Sequence, residues 1–223
     1  MIRPSDPTAT APDRPDQSKA DRHEKQGFWS TAHREYRLRA VLLGAMYFLS
    51  PWATIGFPLL SGAVLVEKGF RVSDSLLYVG IAMLGPTIGA LAGSFVIDRV
   101  ERRTALTLCG GAMALIGLAF AASADPVVLM STGIAFNLIG AIYVAALSVY
   151  AAELFPTALR ASASSGAWAV NRVASALVPL ALLPVLKTTG AMAMFMVVAA
   201  ALVGSIALVL TFGPRGLARR PVE

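Results

Sequence analysis

The side chains best suited to chemistry in this sequence are charged groups at the ends of long apolar segments. The sequence GSFVIDRVERR closes one such segment with Asp98, Arg99, Glu101, Arg102 and Arg103. A plain stop-transfer flank needs only the arginines and is one interpretation of this pattern. The two carboxylates favour another, because a guanidinium can pair with a carboxylate through two hydrogen bonds and so latch one helix end to another.

A second charged pair follows a later apolar segment, in the sequence YAAELFPTALRASA. Glu153 and Arg160 flank Phe155 and Pro156, and a proline ends a helix because it lacks a backbone N–H. An ordinary loop is the simpler interpretation. An unpaired carboxylate at the end of an uncharged helix would, however, be poorly solvated. We therefore expect Glu153 and Arg160 to belong to the same charge latch as the Asp98–Arg103 cluster.

Arg172 lies about ten residues into an otherwise uncharged apolar segment. A charge at that depth is costly and normally requires a charged partner, a substrate or water. We consider three partners: Glu153 in a gate, an anionic substrate, or a group on another chain. Asn171 lies beside it and points to a different helix face. Asn171 and Arg172 are both candidate substrate-pathway residues.

The first apolar segment combines helix-breaking and polar residues. Prolines persist inside a membrane span where a neighbour or a cavity satisfies the freed carbonyls, so we expect a bend in this segment. A kinked span packed on lipid is the alternative. The bend residues are Pro51, Gly56 and Pro58, and the pathway candidates are Tyr47, Trp52 and Thr54.

Asn137 lies near the middle of another uncharged segment, eleven residues from its start. A buried asparagine either bonds to a neighbouring helix or contacts a solute. Both interpretations stay open, and Asn137 completes the list of pathway candidates.

The elements that must position these residues are long and apolar. Of the 223 residues 56% are hydrophobic and 14% charged, and the mean hydropathy is +0.66. A soluble domain carries about 25% charged residues. Each apolar segment is near or above the roughly 20 residues that cross a bilayer as a helix. The six predicted transmembrane helices are 40–66, 76–97, 104–123, 127–150, 162–186 and 191–212.

Several function classes are excluded by the same composition. The single cysteine, Cys109, is far in sequence from the only histidines, His23 and His33, so no metal site is expected. Nucleophile–base pairs and phosphate loops are also lacking, and we predict neither an enzyme nor a cofactor. The net charge of +6 comes from residues that flank apolar segments, which argues against nucleic-acid binding.

The basic residues also predict orientation. Fifteen of the 19 Lys and Arg lie on the side of both termini and only three in the opposite loops, which places both termini in the cytoplasm. We expect a cytoplasmic polar tail over 1–39, disordered over 1–26 and with a short interfacial helix over 27–39. A second cytoplasmic tail follows over 213–223.

These motifs resemble those of one family. The pattern E-L-F-P-T-x-x-R from Glu153 to Arg160, followed by small residues and Asn171-Arg172, is similar to the region near the end of sugar-porter-like members of the major facilitator superfamily. DRVERR resembles the D-R-x-G-R-R loop of that superfamily, with Glu101 in place of the glycine. FWSTAHREYRLR resembles the end of the central loop before the seventh helix. The likeness covers about residues 28–212.

The resemblance implies a fold and a function. It implies an all-α membrane protein whose six transmembrane helices form two inverted three-helix repeats, 40–123 and 127–212, as the C-terminal half of a major facilitator transporter. Such a half would serve a secondary transporter of the cell membrane, moving a small polar or anionic solute by alternating access, for instance by symport. No carboxylate lies within the six segments, so a proton-coupling group would belong to the missing half. The rival interpretation is a stand-alone six-helix accessory or assembly subunit.

A small-residue stripe predicts a partner. Gly85, Gly89 and Gly93 lie four residues apart on one helix face, where a second backbone could approach closely. Contact within the chain is one interpretation. By the resemblance, however, this helix packs against the other half of the transporter. We therefore expect the chain to bind a second six-helix half or to form a homodimer within the lipid bilayer.

Overall fold

The structure is a computed structural model that describes residues 34–97 and 99–213. Seven α-helices and no β-strand occur in this part of the chain. The predicted all-helical fold is thereby confirmed for the described residues. The helices are α1 Arg34–Thr54, α2 Gly56–Glu67, α3 Val72–Ala82, α4 Leu84–Ile97, α5 Arg102–Ala122, α6 Pro126–Glu153 and α7 Thr157–Phe212.

The first four helices are two interrupted spans. By length and composition, Arg37–Glu67 and Val72–Phe95 are each able to cross a membrane. The first is broken between α1 and α2 at Ile55, and the second between α3 and α4 at Met83. The break at Ile55 lies where the prolines of the first segment predicted a bend.

Helices α5 and α6 are continuous spans of 21 and 28 residues. The sequence marks where α6 begins, because Pro126 occupies its first turn and Asp125 precedes it. One carboxylate oxygen of Asp125 accepts hydrogen bonds from the backbone N–H groups of Val127 at 2.8 Å and Val128 at 3.2 Å. These bonds satisfy two of the donors that a helix start leaves unpaired.

Helix α7 reverses direction at Gly190, where φ is 86° and ψ is 175°. Leu182 on its first arm packs against Gly56, and Phe195 on its second arm packs against Phe57. A straight helix would separate Leu182 from Phe195 by about 20 Å. Because both contact neighbouring residues of α2, the arms fold back on each other. The 54-residue candidate span Leu159–Phe212 therefore contains the predicted segments 162–186 and 191–212.

Four phenylalanines hold the bundle centre together. Phe57 stacks on Phe136 with ring centroids 4.0 Å apart, and Phe120 and Phe195 meet Phe57 edge to face. Each ring is almost fully buried and belongs to a different helix or arm. The cluster fixes how α2, α5, α6 and the second arm of α7 pack, since aromatic pairs favour these offset and T-shaped geometries.

The glycine stripe packs inside the chain rather than against a partner. A Cβ on Gly85 would lie 2.5 Å from the carbonyl oxygen of Ile134, and one on Gly89 would overlap the carbonyl oxygen of Leu138. Gly93 likewise faces Ile142. The predicted packing role holds, but the contacted helix is α6. The expectation that this face meets another bundle is wrong, because sequence spacing alone does not tell which neighbour fills a groove.

Basic side chains near the ends of the spans cap neighbouring helices. Lys68 donates hydrogen bonds of 2.6 Å to the carbonyls of Ala121 and Ser123 at the end of α5. Arg39 donates to the carbonyl of Leu154 at the end of α6, at 3.1 Å. A helix C-terminus carries unpaired carbonyls and partial negative charge, so cations stabilise it. Desolvation lowers the pKa of Lys68, an effect that the carboxylate of Glu67 opposes.

Some predictions fall outside the described residues. They concern the predictions of disorder for 1–26 and of an interfacial helix for the start of 27–39, as well as Asp98 and most of the tail 213–223. Helix α1 already begins at Arg34, so the last residues of the proposed interfacial segment continue directly into the first span.

Candidate functional site

Two cavities between the helices adjoin each other, since Thr54 and Val144 line both. Their volumes are about 460 Å³ and 220 Å³. We call them together the furrow. Its walls come from α1, α2, α4, α6 and the first arm of α7, with Met83 and Met113 contributing one side chain each. The size and the mostly apolar lining with a few polar groups suit a small-molecule site.

The two helix interruptions lie in the wall of the larger cavity. Thr54 and Pro58 line it beside the break at Ile55, and Met83 and Pro86 line it beside the break at Met83. A proline has no N–H to give to the carbonyl four residues earlier. Pro58 therefore frees the carbonyl of Thr54, and Pro86 frees that of Ala82. Interrupted helices that leave backbone carbonyls open at membrane depth are the usual walls of solute sites in transporters.

Asn137 lines the larger cavity from α6. Its side-chain amide donates to the carbonyl of Gly133, four residues earlier on the same helix, at 2.9 Å. The amide nitrogen therefore bonds within its own helix. The interhelical bond that was one interpretation of the sequence is not made by this nitrogen. The residue faces the cavity while its Cβ supports the close approach of Gly85.

Asn171 joins two helices at the wall of the furrow. Its amide nitrogen donates to the carbonyl of Tyr47 at 3.1 Å and to the hydroxyl of Ser50 at 3.2 Å. Asn171 and Tyr47 are both buried. Each also lines the smaller cavity, so this polar contact fixes the cavity wall where α1 meets the first arm of α7.

Arg172 lines the smaller cavity and is exposed in this chain. Its guanidinium carbon lies 5.9 Å from the ring centroid of Trp168, which is 41% exposed. Trp168 in turn meets Tyr47 edge to face at 5.5 Å. Within the described residues, the guanidinium makes no hydrogen bond or ion pair. The gate pair with Glu153, one of the three partners considered for Arg172, is absent, and that carboxylate binds Arg102 instead.

Trp52 lies outside the furrow. Its ring packs 6.4 Å from that of Phe48, and its indole N–H is buried with no hydrogen-bond partner among the described residues. The furrow thus brings together Tyr47, Thr54, Asn137, Asn171 and Arg172 of the six predicted pathway residues.

The charge cluster near residue 100 divides into two contacts. Arg102 donates to Glu153 at 3.2 Å and also to the carbonyls of Ile97 and Val100. The ion pair joins the start of α5 to the end of α6, and its side chains are 15% and 24% exposed.

Arg103 makes the other contact and reaches a different helix. It donates to the carbonyls of Leu210 and Gly213, at the end of α7. Arg99 and Arg160 are exposed, and their side chains make no hydrogen bond or ion pair with a described residue. Of the predicted latch, the structure therefore brings together Arg102 and Glu153.

Comparison with known proteins gives the family. The family model described as "Sugar (and other) transporter" matches residues 5–219, nearly the whole chain. The chain belongs to this family of the major facilitator superfamily. The family and the curated relatives are transporters and not enzymes.

The curated relatives are longer than this chain. YyaJ of Bacillus subtilis, named as a metabolite transport protein, is 23% identical over 81% of this chain and 40% of its own length. The inner membrane metabolite transport protein YdjE of Escherichia coli is 26% identical over 67% of this chain and 33% of its own. NiaP of Bacillus subtilis, named for niacin and nicotinamide transport, is 28% identical over 70% of this chain and 40% of its own. The chain thus spans about two fifths of the length of these relatives.

Solved structures show the same fold. The crystal structure of the peptide transporter POT in complex with alafosfalin superposes with a TM-score of 0.71 at 14% identity. It covers 82% of this chain and 40% of that transporter. A second POT family transporter, in complex with a thioalcohol-conjugated peptide, gives a TM-score of 0.65 at 13% identity.

The furrow also contains residues that were not predicted from the sequence, among them Pro86, Trp168 and Ser148. Pro86 repeats in the second span the signal that Pro58 gave in the first, a proline within an uncharged segment, and was open to the same argument. Trp168 lies four residues before Arg172, a spacing that places two side chains on one helix face. Ser148 lines the smaller cavity, and its sequence context gives no signal.

Proposed function

We propose that this chain is the C-terminal half of a secondary transporter that moves a small polar or anionic solute by alternating access. Its six spans would form two inverted three-helix repeats, 40–123 and 127–212, in the cell membrane with both termini cytoplasmic. The furrow would face a second six-helix bundle, and the solute would pass between the two.

The observation that carries this proposal is the furrow itself. Two proline-interrupted candidate spans and the cation Arg172 line one system of two adjoining cavities. Lipid is a poor neighbour for freed carbonyls and a guanidinium, whereas a solute pathway between two bundles would solvate them. The chain matches about two fifths of the length of its relatives, so those transporters have room for a second bundle beside the matched part.

The ion pair of Arg102 with Glu153 would act as the gate of this transporter on one side of the membrane. It joins the start of α5 to the end of α6. The distribution of basic residues along the sequence predicts that these helix ends face the cytoplasm. One oxygen of Glu153, Oε2, is buried without a hydrogen bond from any described residue. A donor from the second bundle could complete the carboxylate when the cytoplasmic side closes.

Two neighbouring residues provide a matched test. Ala90 lines the larger cavity, whereas Leu91 is 66% exposed and lines neither cavity. The assembly should be isolated through an affinity tag on this chain and reconstituted into liposomes for uptake of a panel of small solutes. Ala90→Trp should abolish uptake because the indole fills the furrow, and Leu91→Trp should leave it near wild type. Equal uptake by both variants would refute a pathway through the furrow.

A further inference from the structure

We infer that the solute of this furrow is a small monocarboxylate, held by the guanidinium of Arg172. This inference rests on the proposed transport function and narrows its substrate class. Three features carry it: the depth of the cation, its unused hydrogen-bond donors, and the lack of any acidic residue in the cavity that surrounds it.

Arg172 lies near the middle of the first arm of α7, fifteen residues after Thr157 and eighteen before Gly190. At the helical rise this is more than about 20 Å from either end of the arm. A guanidinium this far inside an apolar helix is poorly solvated by headgroups and needs water or an anion beside it.

The donors of Arg172 are available. A guanidinium has five N–H donors in a planar fork. Within the described residues none of them makes a hydrogen bond or ion pair, and the guanidinium carbon lies 5.9 Å from the ring centroid of Trp168. That contact holds the fork in place without occupying its donors. The fork is thus positioned for an oxyanion, which it can bind through two parallel bonds.

The cavity around the fork sets the charge of its ligand. The remaining polar side chains that line the two cavities are neutral: the hydroxyls of Tyr47, Ser50, Thr54 and Ser148 and the amides of Asn137 and Asn171. No side chain that lines the two cavities therefore carries a negative charge that could neutralise Arg172. One positive charge in a low-dielectric site is matched by one negative charge, which favours a monocarboxylate over a dianionic phosphate ester.

The lining also indicates the polarity of the rest of the solute. Beyond the hydroxyls, the larger cavity is walled by Met83, Pro86, Met113 and Phe136, which are apolar. A carboxylate on the fork would leave its apolar body against these side chains. A sugar, with a hydroxyl on each carbon, would leave most of its hydrogen-bonding groups facing apolar walls.

The test measures binding by titration calorimetry to the assembled protein, purified through a tag on the full-length chain. Benzoate, benzamide and phenyl phosphate share a ring and differ in charge. Benzoate should bind saturably and at least about tenfold more tightly than the other two, because one charge-assisted hydrogen bond is worth roughly that factor. Arg172→Gln should weaken benzoate at least about tenfold and leave benzamide unchanged. Arg172→Lys should retain only part of the affinity, since lysine keeps the charge but loses the fork.

A matched control is Arg71→Gln, which removes an exposed arginine at the start of α3 and should leave benzoate binding unchanged. The inference is overturned if wild type binds none of the anions, if benzamide binds as well as benzoate, or if Arg172→Gln binds benzoate like wild type. It is also overturned if Arg172→Gln dissociates the assembly while benzoate still binds, because the guanidinium would then pair with the second bundle.

Different experimental outcomes would refute the transport pathway and the monocarboxylate site. If Ala90→Trp blocks uptake of a neutral solute that Arg172→Gln transports normally, the transport function stands and the monocarboxylate inference falls. If Ala90→Trp and Leu91→Trp transport alike while Arg172→Gln loses benzoate binding, the anion site stands and the pathway through the furrow falls.

Discussion

Arg102 donates a hydrogen bond from Nε to Oε1 of Glu153 at 3.2 Å and so ties the start of α5 to the end of α6. The neighbouring Arg103 points elsewhere and caps the end of α7. Two adjacent arginines in one motif thus serve different helix pairs. Successive residues of a helix point about 100° apart, so adjacent side chains reach different neighbours.

This division predicts which charges are energetically coupled. A double-mutant cycle of Glu153→Gln with Arg102→Gln should show an interaction free energy of ~0.5–3 kcal/mol, because the two groups share one partly buried contact. The same cycle with Arg103→Gln should be additive within ~0.5 kcal/mol. The free energy of unfolding in mixed detergent micelles is the measurement. Coupling of Glu153 to Arg103 and not to Arg102 would contradict the assigned geometry.

The packing of α4 on α6 predicts opposite effects for two Gly→Ala changes. Gly89→Ala should destabilise the chain by about 1–3 kcal/mol, because its Cβ would overlap the carbonyl of Leu138. A Cβ added to Gly80 in α3 would meet no heavy atom within 4 Å. Gly80→Ala should therefore be neutral or stabilise by up to about 1 kcal/mol through helix propensity. Thermal unfolding of the two purified variants compares them. A neutral Gly89→Ala would show that the close approach of α4 and α6 is not required.

The reversal at Gly190 predicts a third effect. Its φ of 86° with ψ of 175° lies in a region that residues with a side chain rarely adopt. Gly190→Ala should cost about 1–3 kcal/mol of folding free energy. Gly204→Ala is the control, because its Cβ would make only an ordinary contact with Leu49 at 3.6 Å. Equal stability of the two variants would argue that the chain does not need the left-handed conformation at this turn.

Much of the fold could be predicted from the sequence. Uncharged runs located the spans, and the run 104–123 agrees with α5, Arg102–Ala122, to within two residues. Pro58 likewise signalled the interruption at Ile55. Both predictions depend on local chemistry, namely backbone satisfaction in lipid and the missing N–H of proline.

The pairing of side chains could not be predicted in the same way. The glycine stripe was expected to meet another bundle, and it meets α6. Glu153 was considered as a partner of Arg172, and it binds Arg102. Each outcome depends on how helices are rotated and which ones are neighbours, and spacing along one helix carries no such information.

The central claim is that this chain supplies one wall of a transport pathway and needs a second six-helix bundle to complete it. The most direct measurement is uptake of small solutes, including benzoate, by liposomes containing either the isolated monomeric chain or the assembly recovered through its tag. Light scattering of the detergent-solubilised samples gives the mass of each. We expect uptake only from particles that contain two six-helix bundles. A monodisperse monomer that transports solute by itself would contradict the account.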